Sequence, residues 1–430
     1  MLRNTIEKMV EWKNSLKRKP LVLKGARQVG KTWLMKEFGK KFYENSAYFN
    51  FDEERELNSV FETNRDPKRI IQKLSMISGI KIEQNSTLII FDEIQESPAA
   101  LNSLKYFAEN APEYHIASAG SLLGTLLAEP TSYPVGKVNL LEVFPMKFDE
   151  FLAATDKNLY EFYRSFQKGD KIEEIFHNRL LEAYDTYLIT GGMPECVASW
   201  VENKDSTAVA QIQKELISLY ENDFGKHNSR INSGRILMVF RSLVSQLAKS
   251  NEKFIYGAIR EGGRARDFEE AIEWLVSAGI VNRIFNLSKV EHPLPAFDIL
   301  KSFKLFMFDT GLLKNMAGID NRTILLESDF QFKGQLAENY VLQQLRGIFD
   351  VEPRYFADKK GELDFIIQKN GEIIPIEVKS GENKNAATFK NFINKNNPDH
   401  AIRFSRMNYI QNGKITNIPL YFASKINSLI

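Results

Sequence analysis

Short apolar runs separated by helix-length amphipathic stretches set the rhythm of the first 150 residues. Pro20-Leu-Val-Leu-Lys24, Ala47-Tyr-Phe-Asn-Phe51, Thr87-Leu-Ile-Ile-Phe91 and Tyr114-His-Ile-Ala-Ser-Ala119 each read as a buried strand. Apolar positions at helical spacing begin at Trp33, directly after the first run. The order is βαβαβ, which predicts an α/β fold around a parallel sheet.

After Leu140-Leu-Glu-Val-Phe-Pro-Met-Lys-Phe-Asp-Glu-Phe151 that rhythm stops, and from about Leu159 to Ala248 the spacing is helical. Thr190-Gly-Gly-Met-Pro194 interrupts it as a sharp loop. Three helix-length segments follow at 237–248, 254–259 and 267–279, then two apolar strands, 280–286 and 303–308. Three helices and a two-stranded wing describe a winged helix. The third segment carries Asp267, Glu269, Glu270 and Glu273, however, the wrong charge for entering a DNA groove. Arg260, Arg264 and Arg266 just before it are the side chains that could touch a backbone. At 430 residues the chain needs more than one core. The pattern divides it into a parallel-sheet α/β domain at 1–155, a helical and winged-helix domain at 156–330, and a small α/β domain at 331–430.

The first strand leads into Gly25-Ala26-Arg27-Gln28-Val29-Gly30-Lys31-Thr32, a GxxxxGKT loop before a helix. Glycines at this spacing let consecutive backbone N–H groups turn inward around a phosphate at a helix N-terminus. Lys31 is placed to reach the β- and γ-phosphates of ATP, and the Thr32 hydroxyl to ligate Mg²⁺. The third run ends in Asp92-Glu93, at the sheet edge where nucleotide sits in such folds. Asp92 is expected to hold the Mg²⁺ through water and Glu93 to act as base on the attacking water. The fourth ends in Ser118-Ala-Gly120-Ser121, where Ser121 is a candidate contact to the γ-phosphate, or a cap for the next helix.

Near the other end, Leu363-Asp-Phe-Ile-Ile-Gln-Lys-Asn-Gly-Glu-Ile-Ile-Pro-Ile-Glu-Val-Lys379 carries Asn370-Gly371 between apolar runs, the signature of a two-residue type I′ hairpin. That turn pairs Lys369 with Glu372 and sets Asp364 opposite Glu377. Alternation puts Asp364, Glu377 and Lys379 on one face, and Leu363, Phe365, Ile367, Ile374, Ile376 and Val378 on the other. Opposed carboxylates destabilise a sheet unless a cation or a proton lies between them. Glu338 on a helical segment is a third candidate ligand, giving a hard-oxygen Mg²⁺ site in which Lys379 orients or deprotonates water.

Composition narrows the surroundings. Fifty-seven Lys and Arg against 55 Asp and Glu give a net charge of +2, which excludes a polybasic coat protein, and the last 130 residues carry 18 against 14. Any nucleic-acid contact is therefore local. The single Cys196 excludes an internal disulfide and fits a reducing compartment, and no apolar run reaches membrane-spanning length. The expectation is a cytoplasmic protein with no membrane partner.

These residues resemble a family of bacterial and archaeal AAA-type ATPases that carry a C-terminal domain of unknown function related to PD-(D/E)xK nucleases. The resemblance rests on Gly25 to Thr32, on Phe91-Asp-Glu-Ile-Gln95, on Ala119-Gly-Ser-Leu-Leu-Gly124 with Pro134-Val-Gly-Lys137, and on Phe144-Pro-Met-Lys-Phe-Asp-Glu-Phe151. Gly191-Gly-Met-Pro194, Phe308-Asp-Thr-Gly-Leu-Leu313, Glu338-Asn339 and Glu377-Val-Lys-Ser380 extend it over nearly the whole chain. It implies a P-loop core that uses Lys31, Thr32, Asp92 and Glu93. It also implies a nuclease-like end with Glu338, Asp364 and Glu377 as metal ligands and Lys379 beside them. Leu363 stands where the motif's name has proline, and no arginine finger is assignable. The function implied is a Mg²⁺-dependent ATPase whose nucleotide state controls a metal-dependent nuclease or a DNA- or RNA-binding domain. Its rival is an ATPase switch that docks a protein partner. Assembly of several copies of the chain is left open.

Overall fold

The computed structural model describes residues 1–63, 65–120, 136–226, 233–249, 253–326, 330–359, 361–381 and 387–430. Ser121, part of the Ala119 to Gly124 motif, Pro134 and Val135 lie outside them. The chain forms two compact units, one built on 2–144 with 277–279 and the other on 145–276 and 280–430.

The first unit holds β1 (Leu21–Lys24), β2 (Asn45–Asn50), β3 (Thr87–Asp92), β4 (His115–Ala119) and β5 (Asn139–Glu142). All pair in parallel, in the order β2-β3-β4-β1-β5. Four of the five are the expected runs. β5 escaped the pattern because it is an edge strand without a single fully buried residue, so no continuous apolar run marks it. The core on one side of the sheet gathers Val22, Phe49, Ile89, Phe91 and Ile116 with Phe61, Ile70, Leu74, Leu104 and Phe107 from the covering helices.

The second unit begins ten residues before the expected boundary at 155. Helix Phe148–Thr155 belongs to it, because Phe148 and Phe151 pack edge to face with Tyr163, Tyr187 and Tyr340 in its core. Its sheet contains β6 (Val281–Leu287), β7 (Asp298–Met307), β8 (Val351–Asp358), β9 (Gly361–Lys369), β10 (Glu372–Val378), β11 (Ala401–Ser405), β12 (Ile410–Asn412) and β13 (Ile415–Pro419). The order is β12-β13-β11-β10-β9-β8-β6-β7. The expected wing, β6 and β7, is therefore the edge of this larger sheet, joined to β8 where Asn286 lies beside Tyr355 and Ala357 N donates to Asn286 Oδ1 at 3.0 Å. No sheet boundary falls at residue 330.

Of the three expected helices before the wing, the first and third form, as Ser233–Ala248 and Ala265–Ser277, and the second is a single turn at Tyr256–Ala258. Two of the acids on the third have local uses. Glu273 pairs with Arg283 of β6, and Asp267 Oδ2 accepts from Arg264 N at 3.0 Å.

Candidate functional site

The P-loop of the first unit is a tight structure held from several sides. Gln28 and Gly30 take φ of 63° and 92°, the positive values that aim successive backbone groups toward one side. A Cβ on Gly25 would lie 2.2 Å from Val143 O, so that position has no room for a side chain. Buried Arg3, which sequence reasoning passed over, donates from Nη1 to Val29 O at 2.9 Å and from Nη2 to Phe144 O at 2.7 Å. It ties the loop to the end of the unit, and nothing in its local sequence announces that role.

Lys31 opens helix Lys31–Phe42 and is buried, with Nζ donating to Gly25 O at 3.0 Å and Ala26 O at 2.8 Å. Burial lowers its pKa to about 8, with Arg27 adding to the effect while Glu93 and Asp92 oppose it. Those two acids stand at the C-terminal end of β3, as expected. Asp92 is buried and its Oδ2 accepts from Tyr48 Oη at 2.9 Å. Burial, then the Asp92 charge, pushes the Tyr48 hydroxyl well above its usual range, so the phenol stays a donor. Glu93 adopts φ 48°, and its Oε2 accepts from Gln95 Nε2 at 2.6 Å. Ser118 at the end of β4 is taken up by the sheet, donating to Leu21 O at 3.0 Å.

This donor set fits a nucleotide triphosphate with Mg²⁺. A glycine-lined loop, an ammonium already desolvated inside it, a hydroxyl at Thr32 in the first helical turn and a fixed Asp92 carboxylate are what the polyphosphate and its cation need.

In the second unit the hairpin forms in the expected register, Lys369 with Glu372 through Phe365 with Ile376, around Asn370 and Gly371 at φ 51° and 83°. The expected apolar face does not hold throughout. Phe365, Ile367, Ile374, Ile376 and Val378 share one core, whereas Leu363 joins Ile366, Phe389, Ile393 and Ala401 in another. The reason is a bulge. Against β8, Arg354 faces Ile366 but Phe356 faces Leu363, so β9 carries one extra residue at Asp364–Phe365, offset by one extra residue in β8 between Val351 and Arg354. Asp364 Oδ2 accepts from Val378 N at 2.6 Å across the strands.

Around it stand Glu338 from helix Lys333–Leu345, Glu377, and Glu362, interleaved with Lys379, ion-paired to Glu377, and Lys304 of β7, ion-paired to Glu362. Desolvation, then Glu338 and Glu377, raises Asp364 well above the usual carboxylate range. Glu338 is raised by desolvation too, against the pull of Lys304. Sequence reasoning missed Lys304, which is remote in the chain and reaches the cluster only because the wing is part of the sheet. The three proposed ligands thus share one electrostatic cluster. Among the described residues, however, no three His, Cys, Asp or Glu side chains form a set that would hold a metal ion. Of the expected ligands, Glu377 is ion-paired to Lys379 and Asp364 accepts from the Val378 N–H.

The unassigned motifs meet elsewhere in the same unit. Buried Asp309 accepts from Gly192 N at 2.7 Å, Leu312 N at 3.0 Å and Gln343 Nε2 at 3.1 Å. Gln343 also donates to Tyr187 Oη at 2.9 Å, and Asn339 donates to Thr310 Oγ1 at 3.1 Å. A Cβ on Gly191 would lie 2.3 Å from Asp309 Oδ1 and one on Gly192 2.2 Å from Met146 O, which explains the double glycine.

Residues 17–152 match the AAA domain family. Two domains of unknown function match as well, DUF8612 over 181–323 and DUF4143 over 333–422. Similar proteins include an uncharacterized protein of Methanocaldococcus jannaschii, 24% identical over 83% of this chain and 74% of its own. Another is an uncharacterized protein of Mycobacterium tuberculosis, 24% identical over 85% and 72%. Among solved structures, the Walker-type ATPase of Pyrococcus abyssi aligns over 73% of this chain and 95% of its own at 16% identity and TM-score 0.44. The RuvB Holliday junction branch migration motor of Thermotoga maritima aligns over 66% and 90% at 12% and 0.29. No described helix is long and apolar enough to cross a membrane. By family match, strand order and loop geometry, the first unit is similar to AAA-type P-loop ATPase domains.

Proposed function

We propose that the protein binds Mg²⁺–ATP at the P-loop and hydrolyses it. The observation that carries this reading is the buried Lys31 ammonium inside the glycine-lined loop, within electrostatic reach of Asp92 and Glu93. Thr32 and Asp92 would hold the Mg²⁺, which when bound neutralises phosphate charge. Lys31 exchanges the Gly25 and Ala26 carbonyls for phosphate oxygens. Glu93, steadied by Gln95, is the base that takes the proton of the attacking water. Tyr48 keeps Asp92 in one orientation.

Two variants test it. Lys31→Ala should abolish nucleotide binding. Glu93→Gln should retain affinity within about threefold and lower turnover about 100-fold or more, the usual contribution of a positioned base. Wild-type turnover in Glu93→Gln would place the base elsewhere, and unchanged affinity in Lys31→Ala would remove the nucleotide site.

The C-terminal cluster enters this reading as an ionic site without an assigned metal, because Lys379 and Lys304 already neutralise Glu377 and Glu362. Metal-dependent cleavage by Glu338, Asp364, Glu377 and Lys379 is therefore not part of the proposal.

A further inference from the structure

Arg27 stands third in the P-loop, between Ala26, whose carbonyl accepts from Lys31 Nζ at 2.8 Å, and Gln28 at φ 63°. The loop's apolar residues Ala26 and Val29 are buried, and Arg27 between them is half-buried. The backbone is pinned on both sides of it, where Gly25 runs against Val143 O and where Arg3 donates to Val29 O at 2.9 Å. A loop fixed in this way aims its side chains before any ligand arrives.

The guanidinium belongs to the electrostatic site around Lys31. It opposes the charge of that ammonium, while Glu93 and Asp92 at the end of β3 support it. Two cations held within reach of each other repel, and an anion between them turns that repulsion into attraction. Lys31 is the group that meets the β- and γ-phosphates, and Glu93 the one that meets the water beyond them. Arg27 acts on the same ammonium as Glu93, so it stands at the γ-phosphate end of the nucleotide rather than at the nucleoside.

Hydrolysis moves negative charge toward the β-phosphate. The water oxygen bonds to the γ-phosphorus, the bond from that phosphorus to the β–γ bridging oxygen breaks, and its electron pair stays on ADP. The proton of the water passes to Glu93. Resting on the nucleotide reading above, we propose that Arg27 is a catalytic residue of this step, an arginine finger supplied in cis whose guanidinium donates to a γ-phosphate oxygen and to the bridging oxygen. A planar fork meets two such oxygens at once, and its charge does not titrate. Its γ-phosphate contact is absent in ADP, so it favours the triphosphate and the transition state over the product. No second copy of the chain is needed to complete the site.

The test measures steady-state ATP hydrolysis by the full chain and by Arg27→Ala, Arg27→Lys and Lys31→Ala, with Mg²⁺–ADP affinity alongside. Arg27→Ala should lower kcat at least about 100-fold while ADP affinity and KM stay within about threefold. Arg27→Lys, with a charge but no fork, should fall between, and it decides the matter if the alanine variant does not fold. Aluminium fluoride with Mg²⁺–ADP mimics the transition state; the wild type should bind ADP more tightly in its presence, and Arg27→Ala should not. Wild-type kcat in Arg27→Ala overturns the proposal. So does an ADP affinity that falls in step with kcat, the sign of a loop that has merely lost its shape. Activity regained on mixing Arg27→Ala with Lys31→Ala would show that Arg27 serves another copy's nucleotide, and would overturn the cis assignment. Lys31→Ala also separates the two readings. If it still binds ATP, both fall; if it is inactive beside a fully active Arg27→Ala, only the finger does.

Discussion

Nucleotide affinity should fall steeply above neutral pH, and the structure gives the slope. Lys31 must be an ammonium to meet phosphate, yet burial holds its pKa near 8 when the site is free. Apparent affinity scales with the protonated fraction, so it should be halved at pH 8, fall about tenfold by pH 9, and lose a further factor of ten per unit beyond. The assay is equilibrium binding of a fluorescent ATP analogue with Mg²⁺ at constant ionic strength between pH 7 and 9.5. Lys31→Arg supplies the comparison, because a guanidinium does not titrate in this range. It should bind more weakly at pH 7 and show a flat profile.

The sign has a second consequence. Lys31 is lowered from its unfolded value, so at neutral pH the folded unit carries a desolvated charge that costs roughly 3 kcal/mol by the linkage of 1.36 kcal/mol per unit. Between pH 8 and about 10.5 the folded state releases that proton while the unfolded chain retains it. This contribution therefore makes the nucleotide-free protein more stable as pH rises through the window, the same window in which ATP binding is lost. A wild-type affinity that stays flat to pH 9.5, or a Lys31→Arg profile of equal slope, would refute the assignment of the titrating group.

Other outcomes follow from single contacts. Tyr48→Phe removes the donor to Asp92 Oδ2 and should raise the Mg²⁺ concentration needed for half-maximal turnover several-fold, with ATP affinity in the absence of Mg²⁺ unchanged. Arg3→Ala releases the loop from Val29 O and Phe144 O and should weaken ATP binding without touching any phosphate-facing group, read in the same fluorescence titration. Asp309→Ala leaves the donors of Gly192, Leu312 and Gln343 to Asp309 buried and unpaired; at about 1–3 kcal/mol each the second unit should lose roughly 3–9 kcal/mol, seen as an earlier urea transition.

The P-loop unit was legible because its chemistry and its burial coincide. β1 and β3 are mainly apolar and almost wholly buried, so each motif lies at the end of a run that the hydrophobic pattern already marks. The hairpin register was legible for a different reason, since Asn370-Gly371 allows one turn geometry and that turn fixes every pair after it. What stayed hidden depends on partners remote in sequence. The bulge at Asp364–Phe365 is a mismatch with β8 that no local pattern records. Lys304 resembles any alternating polar position of a strand until β7 is known to join the C-terminal sheet. Arg3 lies in a charged, amphipathic start that reads as solvated surface.

The bulge also decides what kind of site the C-terminal sheet can hold. With regular pairing, Asp364 and Glu377 would have faced each other across the strands, two like charges needing a cation between them. The extra residue in β9 accompanies a different arrangement, in which Asp364 spends one oxygen on Val378 N and Glu377 takes Lys379 as its partner. Each acid of the opposed pair has thus found its own donor. Lys379→Ala removes the partner of Glu377, and divalent-ion binding, measured by calorimetry with Mn²⁺, should strengthen. Unchanged Mn²⁺ binding by a folded Lys379→Ala would show that the ion pair does not set the charge preference of the site.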